Sequence, residues 1–127
     1  ATGSLQKHRR SMARHDPLVR LRHMLDYSRE AVQMVKGKTR KDLDGNRQLA
    51  LAVTHLVELI GEAAGQVHRT TQKRYPDIPW PKIVSMRNRL IHGYDFVDHD
   101  ILWDTITNDL PPLIEILEKI IPPEKHR

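Results

Sequence analysis

Arg87, Asn88, His92 and Tyr94 stand close together in the run Met86-Arg87-Asn88-Arg89-Leu90-Ile91-His92-Gly93-Tyr94-Asp95, amid residues that otherwise read as core. An arginine guanidinium presents a planar fork of donors that grips phosphate, and a histidine imidazole exchanges protons near neutral pH. Such a pair suits RNA cleavage or nucleotide handling. A neutral His92 can take the proton from a ribose 2′-hydroxyl so that the oxygen attacks the adjacent phosphate. Arg87 then stabilises the charge that builds on the phosphoryl oxygens. A second histidine, or the same one later, protonates the leaving oxygen. The expected products are a 2′,3′-cyclic phosphate and a 5′-hydroxyl end, by a route that uses no metal. Bare spacing also suits surface or interface residues, and by itself it leaves both readings open.

The element that must position these groups is a helix expected from about Pro81 to His92, with Gly93 as its left-handed stop. At about 100° per residue, Asn88 lies roughly 100° and His92 roughly 140° around the axis from Arg87. All three then share less than half the circumference, with Asn88 and His92 neighbours at i and i+4. His92 at the helix C-terminus feels a dipole that favours its protonated form. One helix offers an incomplete site. A two-fold axis that set this helix against its copy would bring two arginines and two histidines to a shared cleft.

Four further segments surround it. Leu18, Leu21, Met24, Leu25, Ala31, Val32 and Val35 fall at helical spacing from Pro17 to about Lys36, with Asp16 as the cap and Gly37 as the stop. After a polar connector, Lys38 to Asp42, a long helix is expected from about Leu43 to His68. Within it, Gly61, Ala64 and Gly65 would let a neighbouring backbone approach closely. Glu62 stands beside that contact. A half-buried glutamate needs a cationic partner, for which Arg87 is the candidate; an ordinary solvated glutamate is equally open. The segment Tyr75 to Pro81 carries three prolines and reads as an ordered turn, with Trp80 plugging the core. A last helix opens at Asp98 or His99 and runs through Ile106 and Leu117 to Ile120, kinked or split at Pro111-Pro112 and stopped by Pro122-Pro123. No strand-like alternation, repeat or glycine-rich phosphate loop is apparent, so the fold class expected is an all-α bundle.

Bulk properties narrow the function. The 127 residues support one hydrophobic core and one domain, Met12 to Arg127. Ala1 to Ser11 lacks apolar periodicity and reads as an expression-vector remnant or a disordered arm. Lys7, Arg9 and Arg10 in that arm supply three of the formal net charge of +5, leaving the remainder only mildly basic. A long duplex-DNA patch is not indicated, whereas a local site for single-stranded RNA or a nucleotide fits. Absence of cysteine excludes disulfides, thiolate metal sites and cysteine nucleophiles. Apolar runs fall short of the ~20 residues of a membrane span, so a soluble, cytoplasmic chain without membrane association is expected.

The other histidines, His8, His15, His23, His55, His68, His99 and His126, are scattered without metal-ligand spacing, and no metal or other cofactor is expected. Asp95, Asp98, Asp100 and Asp104 are dense, but capping and solvation account for them. Trp103 and Phe96 read as packing residues rather than base-stacking platforms.

Arg87 to Tyr94 fits Arg, four residues, His, any residue, Tyr, and so resembles the signature of HepT toxins of the HEPN superfamily. Ile60-Gly61-Glu62-Ala63-Ala64, Ile78-Pro79-Trp80, Met86-Arg87-Asn88, His92-Gly93-Tyr94-Asp95 and Trp103-Asp104-Thr105-Ile106 extend the likeness from about Leu18 to Ile121. The resemblance implies a four- to five-helix HEPN-type bundle and a homodimer with the active cleft at its interface. It also implies metal-independent endoribonuclease activity in a type II/VII-like toxin-antitoxin pair. Arg87 and His92 match the family's catalytic positions, with Asn88 assisting. The implied partner is an MntA-like nucleotidyltransferase antitoxin that transfers AMP to Tyr94, adding negative charge and bulk at the mouth of the cleft and so excluding RNA. The rival readings are a non-catalytic nucleotide- or RNA-binding adaptor of a minimal nucleotidyltransferase, and a plain helical dimerisation protein.

Overall fold

The computed structural model describes residues 16–92 and 96–123, without the side chains of Pro17 and His92. The amino-terminal arm, Gly93, Tyr94 and Asp95 lie outside the described residues. Two 19-residue helices and an 11-residue one form the scaffold. Helix α1 (Pro17–Val35) opens where the Asp16 side chain accepts from the Leu18 amide at 3.0 Å. It ends before Gly37, whose φ of 76° turns the chain out of the helix at no steric cost. The expected cap and stop are therefore both present.

The connector expected from Lys38 to Asp42 is instead largely a short helix, α2 (Arg40–Gly45). Thr39 makes it possible, because its amide donates to Asp42 Oδ2 at 2.6 Å and satisfies a donor that a helix start would leave unpaired. Asn46 then breaks the chain and caps α3 (Arg47–Gly65), its side chain accepting from the Leu49 amide. The expected long helix thus begins and ends later and earlier than its apolar pattern suggested. Beyond Gly65, His68 caps a further short helix, α4 (Arg69–Arg74).

Helix α1 packs between α3 and the last helix, α8 (Leu110–Ile120). Leu21, Met24, Val53, Val57, Ile60, Ile106, Leu110 and Leu117 have no exposed surface. Each of those large side chains stabilises the bundle by about 1.5–3 kcal/mol relative to exposure. The last helical stretch starts as α7 (His99–Asp104), capped by Asp98, whose carboxylate accepts from the Asp100 and Ile101 amides. It continues as a π-helical turn, Thr105–Asp109, before α8. In that turn the Leu110 amide reaches back to the Thr105 carbonyl. Pro111 and Pro112 supply no amide, so the regular pattern cannot run through them; they fall in the first turn of α8, where donors would be unpaired anyway. The interruption expected there is a change of helical register. The architecture is all-α, and among the described residues no helix is long and apolar enough to cross a membrane.

Candidate active site

Trp80 begins the segment that carries the candidate residues Arg87 and Asn88. It is 7 % exposed, and its indole Nε1 donates to the Gln72 and Tyr75 carbonyls at 3.0 Å each. That anchor starts helix α5 (Trp80–Val84), which lies against α3 at Gly61. A Cβ at Gly61 would stand 3.1 Å from the Ile83 carbonyl oxygen and 3.6 Å from that of Val84. The close backbone approach expected at the small residues of α3 is therefore real, and Gly61 is where it occurs.

The single helix expected from Pro81 to His92 is not formed. It breaks at Ser85, which takes φ −88° and ψ 1°, and whose hydroxyl donates to the Lys82 carbonyl at 3.2 Å. Serine competes in this way with the regular helical ladder. Helix α6 (Met86–Leu90) follows and stops short of His92. Ile91–His92 is extended as β1 and pairs antiparallel with β2 (Phe96–Val97), in the register Ile91 to Val97 and His92 to Phe96. Branched Ile91 and Val97 favour that pleated pairing, and the Asp98 amide extends it by donating to the Leu90 carbonyl at 2.9 Å. His92 consequently has neither the helical i, i+4 relation to Asn88 nor the place at a helix end that periodicity suggested.

Met86 and Leu90, four apart on α6, are buried, which leaves Arg87 and Asn88 on the outer side. Both line a groove of about 330 Å³ opposite His55, Glu58 and Glu62 of α3, with Gly61 between the walls. Arg87 Nε donates to Glu58 Oε2 at 3.1 Å. Its ion-pair partner is thus Glu58, one helical turn before Glu62; Glu62 itself is exposed on the same wall. The Arg87 side chain is 60 % exposed, and an ion pair so accessible holds by about 0–1 kcal/mol. A phosphodiester, able to accept two guanidinium hydrogen bonds, can compete for it.

Arg87, Asn88 and Glu62 thus meet in one groove. The side chain of His92 and all of Tyr94 lie outside the described residues. His55 and Glu58 were not anticipated, although His55, Glu58 and Glu62 form a polar stripe at i, i+3 and i+7 on an otherwise apolar helix.

A second cavity, of about 530 Å³, lies between α2, α3 and the β2–α7 corner. Its ionic groups largely engage one another. Arg40 pairs with Asp44 at 3.0 Å and Asp100 at 2.7 Å, and His99 Nδ1 meets Asp44 at 2.8 Å. The His99 hydrogen bond, followed by that of Arg40, holds the Asp44 carboxyl below its ordinary range. Trp103 packs against the core, whereas Phe96 borders this cavity and, at 61 % exposed, stands outside the core. Its β2 neighbour Val97 faces inward, and alternation along a strand turns Phe96 the other way.

Comparison with known proteins bears on what this groove is for. The family model described as "Ribonuclease HepT-like" matches residues 24–120, which take in most of α1, all of α3 and α8, and the whole α5–α6 segment. A protein of Thermococcus cleftensis named "Probable ribonuclease HepT" is 34 % identical over 95 residues, covering 72 % of this chain and 86 % of that protein. A protein of Methanocaldococcus jannaschii named for an inferred RNase activity is 30 % identical over 110 residues, covering 87 % of this chain and 91 % of its own. Another so named, from Caldanaerobacter subterraneus subsp. tengcongensis, is 31 % identical over 105 residues, covering 83 % and 94 %. No solved structure matches. With the match running through the bundle and through the helix that presents Arg87 to the groove, this chain belongs to the HepT-like ribonuclease family.

Proposed function

We propose that the chain is a metal-independent endoribonuclease toxin that acts as a homodimer and is silenced by a nucleotidyltransferase antitoxin. The observation that carries the reading is Arg87 and Asn88 on the rim of an open groove, in a chain of the HepT-like ribonuclease family. In the reaction, neutral His92 takes the proton of a ribose 2′-hydroxyl and the 2′-oxygen forms a bond to phosphorus. The bond from phosphorus to the 5′-oxygen breaks, and an imidazolium, from His92 or its copy, protonates that oxygen. Arg87 neutralises the charge on the non-bridging oxygens and Asn88 assists through its amide. A copy of the chain completes the cleft, and the domain, residues 12–127, acts as one unit. AMP transfer to Tyr94, two residues beyond His92, closes the site by charge and bulk.

The test is cleavage of a defined RNA by the purified chain in excess chelator. Cyclic-phosphate ends are expected, and activity is lost in Arg87→Ala and His92→Ala with the dimer intact by light scattering. Saturable nucleotide or RNA binding with no cleavage by an unmodified, nuclease-free preparation overturns the enzyme reading in favour of an adaptor. For the antitoxin arm, intact mass is measured after incubation with ATP and a candidate minimal nucleotidyltransferase. Adenylate-sized increments that vanish in Tyr94→Phe support it; an unchanged mass with an active transferase refutes it.

A further inference from the structure

Asp109 ends the π-helical turn, and its side chain is only 11 % exposed. A carboxylate this sheltered needs compensating charge. Lys82 Nζ, on α5, lies 2.9 Å from Oδ1; Arg89 Nη1, on α6, lies 3.7 Å from Oδ2. The two cations stand on opposite sides of the Ser85 break, and Arg89 is two residues from Arg87. Helix α6 has five residues, too few to hold a shape by its own hydrogen bonds. Its orientation therefore depends on outside contacts. Met86 and Leu90 set its depth in the core and the Asp98 amide holds the Leu90 carbonyl at its end, but apolar contacts are non-directional and a tether at one end still lets the helix swivel about it. An ionic contact at Arg89 removes that freedom, and fixing register is the best-attested service of sheltered ion pairs. Arg89 Nη1 and Asp109 Oδ2 are both buried and form no hydrogen bond among the described residues, so each stabilises the other by charge alone. The π-helical register contributes as well, because the extra residue per turn displaces a side chain from the regular helical face, a device that recurs at functional positions.

The geometry points to Asp109 as a positioning residue for the Arg87 site: by holding Lys82 and Arg89, its carboxylate fixes the angle between α5 and α6 and so where the Arg87 guanidinium enters the groove. The catalytic consequence rests on the ribonuclease reading above; the structural one rests on the ion pairs alone.

Two measurements on the full chain test it. The first is amide hydrogen exchange at Arg89 and Ile91, whose amides donate to the Ser85 and Arg87 carbonyls, with interior amides of α3 as the reference. In Asp109→Asn, exchange at those two sites rises about tenfold while α3 is unchanged. The second is RNA cleavage, in which kcat falls about tenfold at unchanged KM, because transition-state stabilisation is lost and ground-state binding is not. Asp109→Glu restores most of both. Exchange at α6 as slow as in the unsubstituted chain overturns the inference, and so does a uniform rise across α3 and α6 with kcat tracking the folded fraction. If Asp109→Asn does not fold, Lys82→Gln and Arg89→Gln, which each leave the carboxylate one cation, are read by the same two measurements. Should the unsubstituted chain leave RNA intact, the ribonuclease reading fails while the exchange comparison still decides the clamp.

Discussion

The bundle of α1, α3 and α8 and the strap of α5, α6 and β1 are built on opposite terms. The bundle helices are long and bury fully covered leucines, isoleucines and valines along one face. The strap is two five-residue helices and a two-residue strand, none of which would persist alone. Its shape is borrowed from the Trp80 indole on two carbonyls, the Gly61 backbone contact, and the buried Met86 and Leu90. The groups proposed to act on RNA, Arg87 and Asn88, stand on the outer side of this strap, where the packing of the bundle does not depend on them. Stability and activity should therefore separate cleanly by region.

Crossing one substitution from each region gives the largest expected effects. Arg87→Ala lowers cleavage by about 10²–10³-fold, the usual cost of removing a group that meets transition-state charge. Its melting temperature barely moves, because the exposed pair with Glu58 contributes about 0–1 kcal/mol. Leu21→Ala, at a position with no exposed surface, costs about 2–5 kcal/mol while the turnover of the folded fraction stays near normal. Chemical denaturation and single-turnover cleavage on both proteins read the contrast. A large loss of stability in Arg87→Ala would erase the distinction between the regions.

Two glycines of α3 sharpen it at intermediate size. Gly65, the last residue of α3, has nothing within 4 Å of a Cβ position, so Gly65→Ala is expected to gain at most about 0.5–1 kcal/mol, the amount that helix propensity gives at a mid-helix position. At Gly61 the same change meets the Ile83 carbonyl oxygen at 3.1 Å, a backbone atom that moves only with the strap. Gly61→Ala is expected to gain no stability and to lower cleavage several-fold as α5 is displaced. Equal gains at both sites, with activity intact, would show that the strap yields freely.

Legibility follows the same division. Asp16, Gly37 and Asp98 could be read as helix boundaries because capping involves residues two or three apart. The apolar faces of α1, α3 and α8 were likewise visible in their 3.6-residue period. Of the Arg87 to Tyr94 motif, Arg87 and Asn88 do line one groove, while the His92 side chain and Tyr94 lie outside the described residues, and the Gly61 contact followed from residue size alone. What escaped depends on partners distant in sequence or on competing local bonds. Ile91 and His92 continue a helical pattern on paper, yet pairing with Phe96 and Val97 draws them into a ladder. Which glutamate reaches Arg87 depends on the angle between α3 and α6, so Glu58 could not be preferred to Glu62. Thr39 was hidden because its capping bond to Asp42 lies inside a segment that looks merely polar.

The smallest effect concerns α2, where ion pairs add to the burial of Leu43 and where acid should discriminate that ionic part from the bundle. Hydrogen bonds from His99 and then Arg40 depress the Asp44 carboxyl below its free value of 3.8, and the Thr39 amide does the same for Asp42. A depressed folded-state pKa means that the folded chain binds the proton less readily than the unfolded one. The stability so gained is fully present above the unfolded value and is lost as pH falls through the folded value. Asp44→Asn should therefore melt slightly below the unsubstituted chain at every pH above about 5. That gap should narrow below pH 3.8 and close once Asp44 itself is protonated. The deficit of Leu21→Ala, an apolar term, should stay constant across the same range. Melting curves for the three proteins between about pH 2 and 7 make the comparison. If the Asp44→Asn gap persists undiminished at the acid end, the ion pairs on α2 contribute nothing, and packing alone holds it in place.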